Sequence, residues 1–411
     1  MKNYAFLLIL LSIALGIVCG VIFPQEMKTI SWIGQLFINI LKLIVLPLIF
    51  CALVSAITSI GEFKRLGLIG VYTMGYVLMS VSIAVIIGLT LLNVFEPGKN
   101  VSSHLILANS VPSDLKPIQF SSYILTLFPP NIVAAAAKYE IMPIVFFSIV
   151  FAIACIAVGK SANVVIAFFS GLRDVLVKMI IWLMYLTPVG LFSLLGTAVA
   201  EASLQHRLLE SVKGMLMFIL IFLFGLFLQI FWQGILVAVV TKNPKKLINN
   251  ALEALLTAFA TSSSMASLPV TMLVAKKQNL SDDVAKFVLP LATTINLAGT
   301  AMYEAVSALF FCQVLNYDLS LFAQIAVFFT AIIAGMGATG IPEGGLITMV
   351  MILRIVNVPI SAIGLLLPFD RILDRFRTLT NVWGDLVCAT IVDHLYKKNS
   401  LKPSKSIRVF K

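Results

Sequence analysis

Charge is what this chain has least of. Only 11% of its 411 residues are Asp, Glu, Lys or Arg, less than half of the roughly 25% usual in a soluble globular domain. A chain this poor in charge cannot present all of its outside to water. Histidine is also scarce, with three in total (His104, His206, His394), each at the end of an apolar stretch. The five cysteines (Cys19, Cys51, Cys155, Cys312, Cys388) all lie inside apolar segments, and no Cys-x-x-Cys occurs. Neither a disulfide framework nor a metal site is supported, and they read as small buried or lipid-facing side chains.

What is abundant is long apolar sequence. Hydrophobic residues make up 60% of the chain and the mean hydropathy is +1.05. Apolar runs cover 4–23, 31–58, 68–95, 141–159, 163–198 and 210–241, followed by a more interrupted region, 247–396. Each run suffices for a membrane span of ~20 residues, so a multi-pass cell-membrane protein is expected. The first run follows Lys2 but lacks an A-x-A cleavage site, and is read as a retained helix rather than a leader. The net charge of +11 sits between spans: Lys64 and Arg65, Lys160, Lys242 with Lys245 and Lys246, Lys276 with Lys277, and a terminal series from Lys397 to Lys411. The positive-inside rule then places these loops and both termini in the cytoplasm, with segments 96–120 and 200–207 outside. Basic charge is orientation here, and no nucleic-acid partner is implied. Lys42, the one charge within an early span, reads as a snorkelling side chain.

Polar residues gather in the last third. Two segments there look alike: Thr261-Ser262-Ser263-Ser264-Met265-Ala266-Ser267-Leu268-Pro269, and Gly335-Met336-Gly337-Ala338-Thr339-Gly340-Ile341-Pro342. Each is a small-residue tip ending in an aliphatic-Pro pair, between apolar arms too short for two full spans. Such tips free backbone groups that lipid cannot satisfy, so they must be buried in protein or line a cavity. Paired interrupted hairpins in two repeats point to a transporter binding site.

The final helix carries the clearest polar pattern. At about 100° per residue, Asp370, Asp374, Arg377, Thr378, Asn381 and Asp385 share an arc of roughly 100°, with Ile372, Leu373, Phe376, Leu379, Val382 and Trp383 outside it. Ionisable groups at membrane depth are costly and face a cavity or one another. A carboxylate such as Asp374 can accept from an ammonium, and Arg377 offers a planar fork for a carboxylate. Asn381 and the Ser263-Ser264 tip can donate to a second carboxylate, and Asp385 can hold a hard cation.

These motifs resemble the dicarboxylate/amino acid:cation symporter family, the glutamate and aspartate transporters, over essentially the whole chain. The resemblance rests on Ser262-Ser263-Ser264 with Leu268-Pro269, Asn296-Leu297-Ala298-Gly299-Thr300, Gly340-Ile341-Pro342, and Asp374-Arg375-Phe376-Arg377-Thr378 through Asn381 and Gly384-Asp385. It implies an all-α membrane protein with eight transmembrane helices plus two re-entrant helical hairpins, inverted repeats, a homotrimer and elevator-type motion. The scaffold would comprise 1–66 and 96–208. The transport domain would comprise 67–95 and 209–396, with 397–411 a basic cytoplasmic tail. By the same resemblance, Arg377 binds the substrate side-chain carboxylate and Asp374 its ammonium. Thr378, Asn381, Ser263, Ser264 and Thr300 complete the pocket, and Ser262, Gly340 and Pro342 belong to the gating hairpins. Ser262 with Arg375 resembles the animal members more than the archaeal ones. Arginine at 377 favours an acidic substrate.

The resemblance weakens at the cation sites. Asn296, Asn381 and Asp385 match one sodium site of the family, and Thr294 with the second hairpin another. The third site's aspartate is Ala298 here, and Val77 and Val81 stand where the family has tyrosine and a hydroxyl residue, Ser80 remaining. This third site is expected to be absent. Glu304 matches a glutamate that carries a proton in animal members. The expected activity is uptake of acidic amino acids by symport with protons, a reduced number of sodium ions, or both. These ions are cargo, and no resident cofactor is expected. The expected setting is a bacterial inner membrane. Alternatives are a C4-dicarboxylate symporter, a neutral amino acid transporter and an anion-conducting channel.

Overall fold

The computed structural model describes residues 2–61, 67–101, 128–138, 141–204, 208–241, 244–337 and 344–400. Among them are sixteen α-helices and no β-strand. The apolar runs become helices with nearly the expected ends. α1 (Lys2–Ile22), a short α2 (Pro24–Thr29) and α3 (Ser31–Gly61) open the chain. Pro24 begins α2, a position where its missing N–H would be unpaired anyway. α4 (Leu68–Phe95) stops at Glu96, whose backbone is left-handed with φ 43°.

α5 (Ile132–Ala137) starts at Asn131, whose side chain accepts from the amides of Val133 and Ala134. α6 (Ile141–Val158), α7 (Asn163–Leu183) and α8 (Thr187–Leu204) follow. The run 163–198 is therefore two helices rather than one. A 3-10 turn at Met184–Leu186 separates them, and Pro188, lacking an N–H, cannot extend the earlier ladder. α9 (Leu208–Thr241) is a long apolar helix. The last third holds α10 (Pro244–Thr261), α11 (Ser264–Lys277), α12 (Asp282–Ile295), α13 (Ala298–Val314), α14 (Leu321–Gly337), α15 (Gly344–Ile355) and α16 (Ile363–Ser400).

Among the described residues, five stretches are long and apolar enough to cross a membrane: 68–95, 143–183, 187–204, 212–241 and 282–314. A sixth arises if α1 and the helix beyond Pro24, bent 117° from it, count as one span. Leu43, Val71, Val94, Val164 and Phe168 point outward from these helices. An apolar surface of that extent suits lipid and would be a liability in water. α16, at 38 residues some ~57 Å long, carries too many charges for a lipid-facing span. Asp370, Asp374, Arg377 and Asp385 along its middle are buried in protein instead.

The helices pack in two sets. α1, α2, α6 and α7 gather around α3 and α8, whereas α4 and α9–α16 pack mainly on one another. α1 approaches α8 closely through Gly16, Gly20 and Gly196, as small residues permit between apolar helices. Contacts from α8 to α16, and from α3 to α14 and α15, join the sets. At the centre of the second set lies α13, buried along all 17 residues. Phe218 and Phe222 of α9 meet Phe310 and Tyr303 of α13 at ring separations of 4.5 and 5.2 Å. This contact fixes the wall on which the site is built.

Candidate functional site

Arg377 of α16 is wholly buried (0% exposed). Its Nη2 donates to Asp370 Oδ1 at 2.8 Å and to Asp374 Oδ1 at 2.9 Å. Both carboxylates come from the same helix, seven and three residues earlier, so the helical repeat alone brings them onto one face. The guanidinium also lies over the Tyr303 ring, 4.1 Å from its centroid. Two donor atoms, Nε and Nη1, are buried without an acceptor among the described residues. A buried guanidinium with unspent N–H groups is suited to take a further carboxylate. Gly345, on the second arm of the second hairpin, backs this position. A Cβ there would stand 2.7 Å from Nη1 and 3.0 Å from Thr300 Cγ2, so the close approach needs glycine.

The expected stripe is fully buried, with Asp370, Asp374, Arg377, Thr378, Asn381 and Asp385 each at most 5% exposed. The apolar positions outside its arc do not all face lipid. Leu373, Val382 and Trp383 are buried as well, against α9–α12. Periodicity detected the polar face but not that α16 is enclosed nearly all round. Asp370 was visible on the stripe without a role, and its pairing with Arg377 is what the fold adds. Asp374, expected to meet an ammonium, is itself an ion-pair partner of Arg377.

The second group of polar residues sits where span 282–314 breaks. Asn296 and Leu297 leave helical backbone (ψ 53° and 56°), separating α12 from α13. The α13 start is capped from across the site: Asn381 Oδ1 accepts the Gly299 amide at 2.8 Å, and Asn381 Nδ2 donates to Thr300 Oγ1 at 3.3 Å. The two helices approach closely there: a Cβ on Gly299 would lie 3.0 Å from the Arg377 carbonyl oxygen. Asn296 Nδ2 donates to Asp385 Oδ1 at 3.0 Å, while Asn296 Oδ1 is buried with no donor. Thr293 Oγ1 reaches Asp385 Oδ2 at 3.5 Å, and Thr294 Oγ1 donates to the Leu291 carbonyl at 2.7 Å. A carboxylate with an unspent amide oxygen beside it is oxygen-only chemistry, appropriate to a hard monovalent cation.

Glu304 is fully buried on α13, where its Oε1 accepts the Thr348 hydroxyl of α15, and its Oε2 has no partner. The link ties the broken span to the second hairpin. Around the expected third-site position, Val77, Val81 and Ala298 are each 1% exposed. Ser80 Oγ accepts from Gln233 Nε2 at 3.0 Å, and the Ser80 carbonyl accepts from Gln229 Nε2 at 3.1 Å. Both glutamines are buried on α9. Polar residues inside an apolar helix were the available signal for this pair.

The first hairpin tip is a sharp reversal between α10 and α11. Ser262 takes left-handed backbone (φ 51°), and Ser263 Oγ caps α11 by accepting the Ala266 amide at 3.2 Å. Ser263 and Ser264 are buried. No hydrogen bond ties Ser264 to the Arg377 group among the described residues. The hairpin instead meets α16 through Phe259, which packs edge-on against Phe376 at 5.1 Å with Arg375 over its ring at 5.8 Å. Gly340, Ile341, Pro342 and Glu343 lie outside the described residues, so the second tip is known only by its arms, α14 and α15.

Residues 5–395 match the sodium:dicarboxylate symporter family. The chain belongs to that family. Among its relatives, the excitatory amino acid transporter 1 of Ambystoma tigrinum is 31% identical, the match covering 90% of this chain and 78% of that protein. The proton/glutamate-aspartate symporter of Escherichia coli (strain K12) is 29% identical, over 95% of this chain and 93% of its own. The proton/sodium-glutamate symport protein of Bacillus caldotenax is 28% identical, over 93% and 92%. Membership of a sodium:dicarboxylate symporter family makes this chain a transporter rather than an enzyme, and agrees with the buried, oxygen-rich break and the unspent guanidinium.

Proposed function

We propose that this protein takes up acidic amino acids, glutamate or aspartate, by cation symport. Arg377 carries the reading: a wholly buried guanidinium, held from below by Asp370 and Asp374, with Nε and Nη1 unspent. An incoming side-chain carboxylate would take those donors. One of the two aspartates would then be released to receive the substrate ammonium. Thr378, Thr300, Ser263 and Ser264 would complete the pocket. Asn381 would act through the α13 start that it caps.

Two relatives are named for proton coupling, with or without sodium, and the site has parts for both ions. Asp385 with Asn296 would take sodium, with Thr294 and Asn381 nearby, and Glu304 would carry a proton. At the third-site position, Ser80 Oγ is bonded to an amide donor, and Val77, Val81 and Ala298 supply no side-chain oxygen. That supports coupling through fewer sodium ions.

On this reading the fold is completed to eight spans and two re-entrant hairpins with inverted repeats. The chain would be a homotrimer in a bacterial inner membrane, with both termini cytoplasmic. The scaffold would be 1–66 and 96–208, and 67–95 with 209–396 would move as an elevator. The two helix sets, joined mainly where α8 meets α16 and α3 meets α14 and α15, support this division.

One observation favours a second reading. Asp374 is bound to Arg377 at 2.9 Å, so a ligand without an ammonium would not face a bare carboxylate. A C4-dicarboxylate symporter therefore stays in competition. Binding of aspartate, glutamate, succinate and a neutral amino acid to the purified protein separates the readings. Aspartate or glutamate should bind tightest, and tighter binding of succinate would replace this proposal by the second. Uptake into proteoliposomes driven by a pH gradient without sodium then tests the coupling ion.

A further inference from the structure

At the far end of the bundle from the hairpin tip, a cavity of about 940 Å³ opens between the end of α9, the start of α10, the α11–α12 turn and the C-terminal part of α16. Its wall carries three lysines, Lys246, Lys397 and Lys398, with His394. Among the described residues the one carboxylate there, Asp393, is already engaged. Its Oδ1 accepts the Ser281 amide at 2.9 Å and its Oδ2 accepts from Lys397 Nζ at 2.7 Å. Lys246 Nζ donates to the Gln278 carbonyl at 2.6 Å and Lys397 Nζ to the Asn279 carbonyl at 3.2 Å. Backbone contacts at a single turn thus draw both ammonium groups inward. Lys398 is exposed and forms no ion pair among the described residues.

Gln278 indicates what the cavity is for. It is 6% exposed, and its side-chain amide lies 3.2 Å from the Thr390 hydroxyl oxygen, which also donates to the Leu386 carbonyl at 2.7 Å. Gln278 lines the cavity, and its Nε2 is buried just behind that wall with no acceptor among the described residues. A buried amide donor left unpaired is costly. Beside three ammonium groups, it calls for an anion with several acceptor oxygens. Phosphate has them, and lysine binds phosphate as a point charge without needing a planar fork.

The position selects the source of that phosphate. The apolar stretch of α9 ends at Thr241, and Val239, on the cavity wall two residues earlier, is 69% exposed. Val240 and Leu395 continue the apolar side of the wall. The cavity therefore offers acyl-facing surface on one side and cations on the other, at the level where a span leaves the hydrocarbon. Basic pockets between spans at that level hold anionic headgroups. We propose that this cavity binds the phosphate of an anionic membrane lipid.

All of its walls belong to the helix set containing α16. If that set moves as an elevator, an occupied cavity would tether its cytoplasmic end to the inner leaflet. That consequence rests on the proposed transport mechanism; the binding itself does not, and can be measured without transport.

The test counts lipid bound to the purified full chain by native mass spectrometry, in neutral detergent, with phosphatidylglycerol or phosphatidylcholine added. Saturable retention of phosphatidylglycerol at one site per chain, without phosphatidylcholine, is expected. Lys398→Gln should weaken it about fivefold, and Lys246→Gln combined with Lys398→Gln on the order of 25-fold. Gln278→Leu, which leaves charge untouched, should weaken it about tenfold. Lys160→Gln removes an exposed lysine elsewhere on the expected cytoplasmic side and should have no effect. Equal weakening by Lys160→Gln, or no saturable binding, overturns the proposal. Inorganic phosphate is the second arm: displacement of the lipid at matched concentration would overturn the lipid assignment in favour of a soluble anion. Since Lys398 is exposed, Lys398→Gln should fold normally and keeps the test decisive should Gln278→Leu not fold.

Discussion

Arg377 pairs with two carboxylates through a single nitrogen, so charge and shape can be separated at this residue. Arg377→Lys keeps a cation between Asp370 and Asp374 and should leave the protein folded. It loses the fork, and binding of acidic amino acids should fall about a hundredfold, as expected for one or two lost hydrogen bonds to a charged group. Isothermal titration with aspartate measures it; unchanged affinity would place the carboxylate elsewhere. Arg377→Ala should instead destabilise by about 3–5 kcal/mol, because two buried carboxylates lose their cation, which a melting curve would show. Glu304 permits a different separation. Glu304→Gln keeps the acceptor for the Thr348 hydroxyl but cannot release a proton. Substrate binding should persist, while uptake driven by a pH gradient alone should vanish. Persistence of that uptake would remove Glu304 as the proton carrier.

Among the elements, the α10–α11 reversal is held by local backbone chemistry that can be altered one residue at a time. Ser262 occupies left-handed backbone, which costs an L-residue roughly 1–2 kcal/mol. Ser262→Gly should therefore be stabilising or neutral and Ser262→Val destabilising. Ser263→Ala removes the α11 cap and should cost about 1 kcal/mol. Melting temperatures in detergent check all three. If Ser263 also donates to substrate, Ser263→Ala will weaken aspartate binding beyond its effect on melting. The broken span 282–314 follows the same logic at larger scale. A continuous helix would need no partner at Gly299, whereas the break exposes amide donors that Asn381 satisfies from α16.

At the scale of the whole molecule, the outward apolar side chains of the first helix set have two possible partners, lipid and another copy. Phe168 and Trp182 of α7 and Val150 of α6 are among the exposed ones. The proposed homotrimer predicts a protein mass of three times 44.8 kDa, measured by light scattering after correction for detergent. A mass of one chain would mean that lipid alone covers this face and that the trimeric scaffold is wrong for this protein.

Much of this protein was legible in its composition and periodicity. Apolar runs predicted the helices nearly end to end, because in lipid a backbone must satisfy its own hydrogen bonds and sequence-local helices do so. The stripe from Asp370 to Asp385 was visible because a helix repeats every 3.6 residues. The small-residue tip at Ser262 announced its own reversal, and the residues of the Asn-Leu-Ala-Gly-Thr motif were singled out as they stand. The structure decided which of these polar groups are spent and which are not. That Asn381 caps the start of α13, and that Gln229 and Gln233 bind Ser80, are contacts across tens to hundreds of residues. Sequence by itself determined that Asp370 and Asp374 stand beside Arg377 on one helix face; only the packing of α9, α13 and α16 determined the partners of Ser80, Asn381 and Gly299, because burial makes each unpaired group costly and their nearest compatible atom belongs to a neighbouring helix.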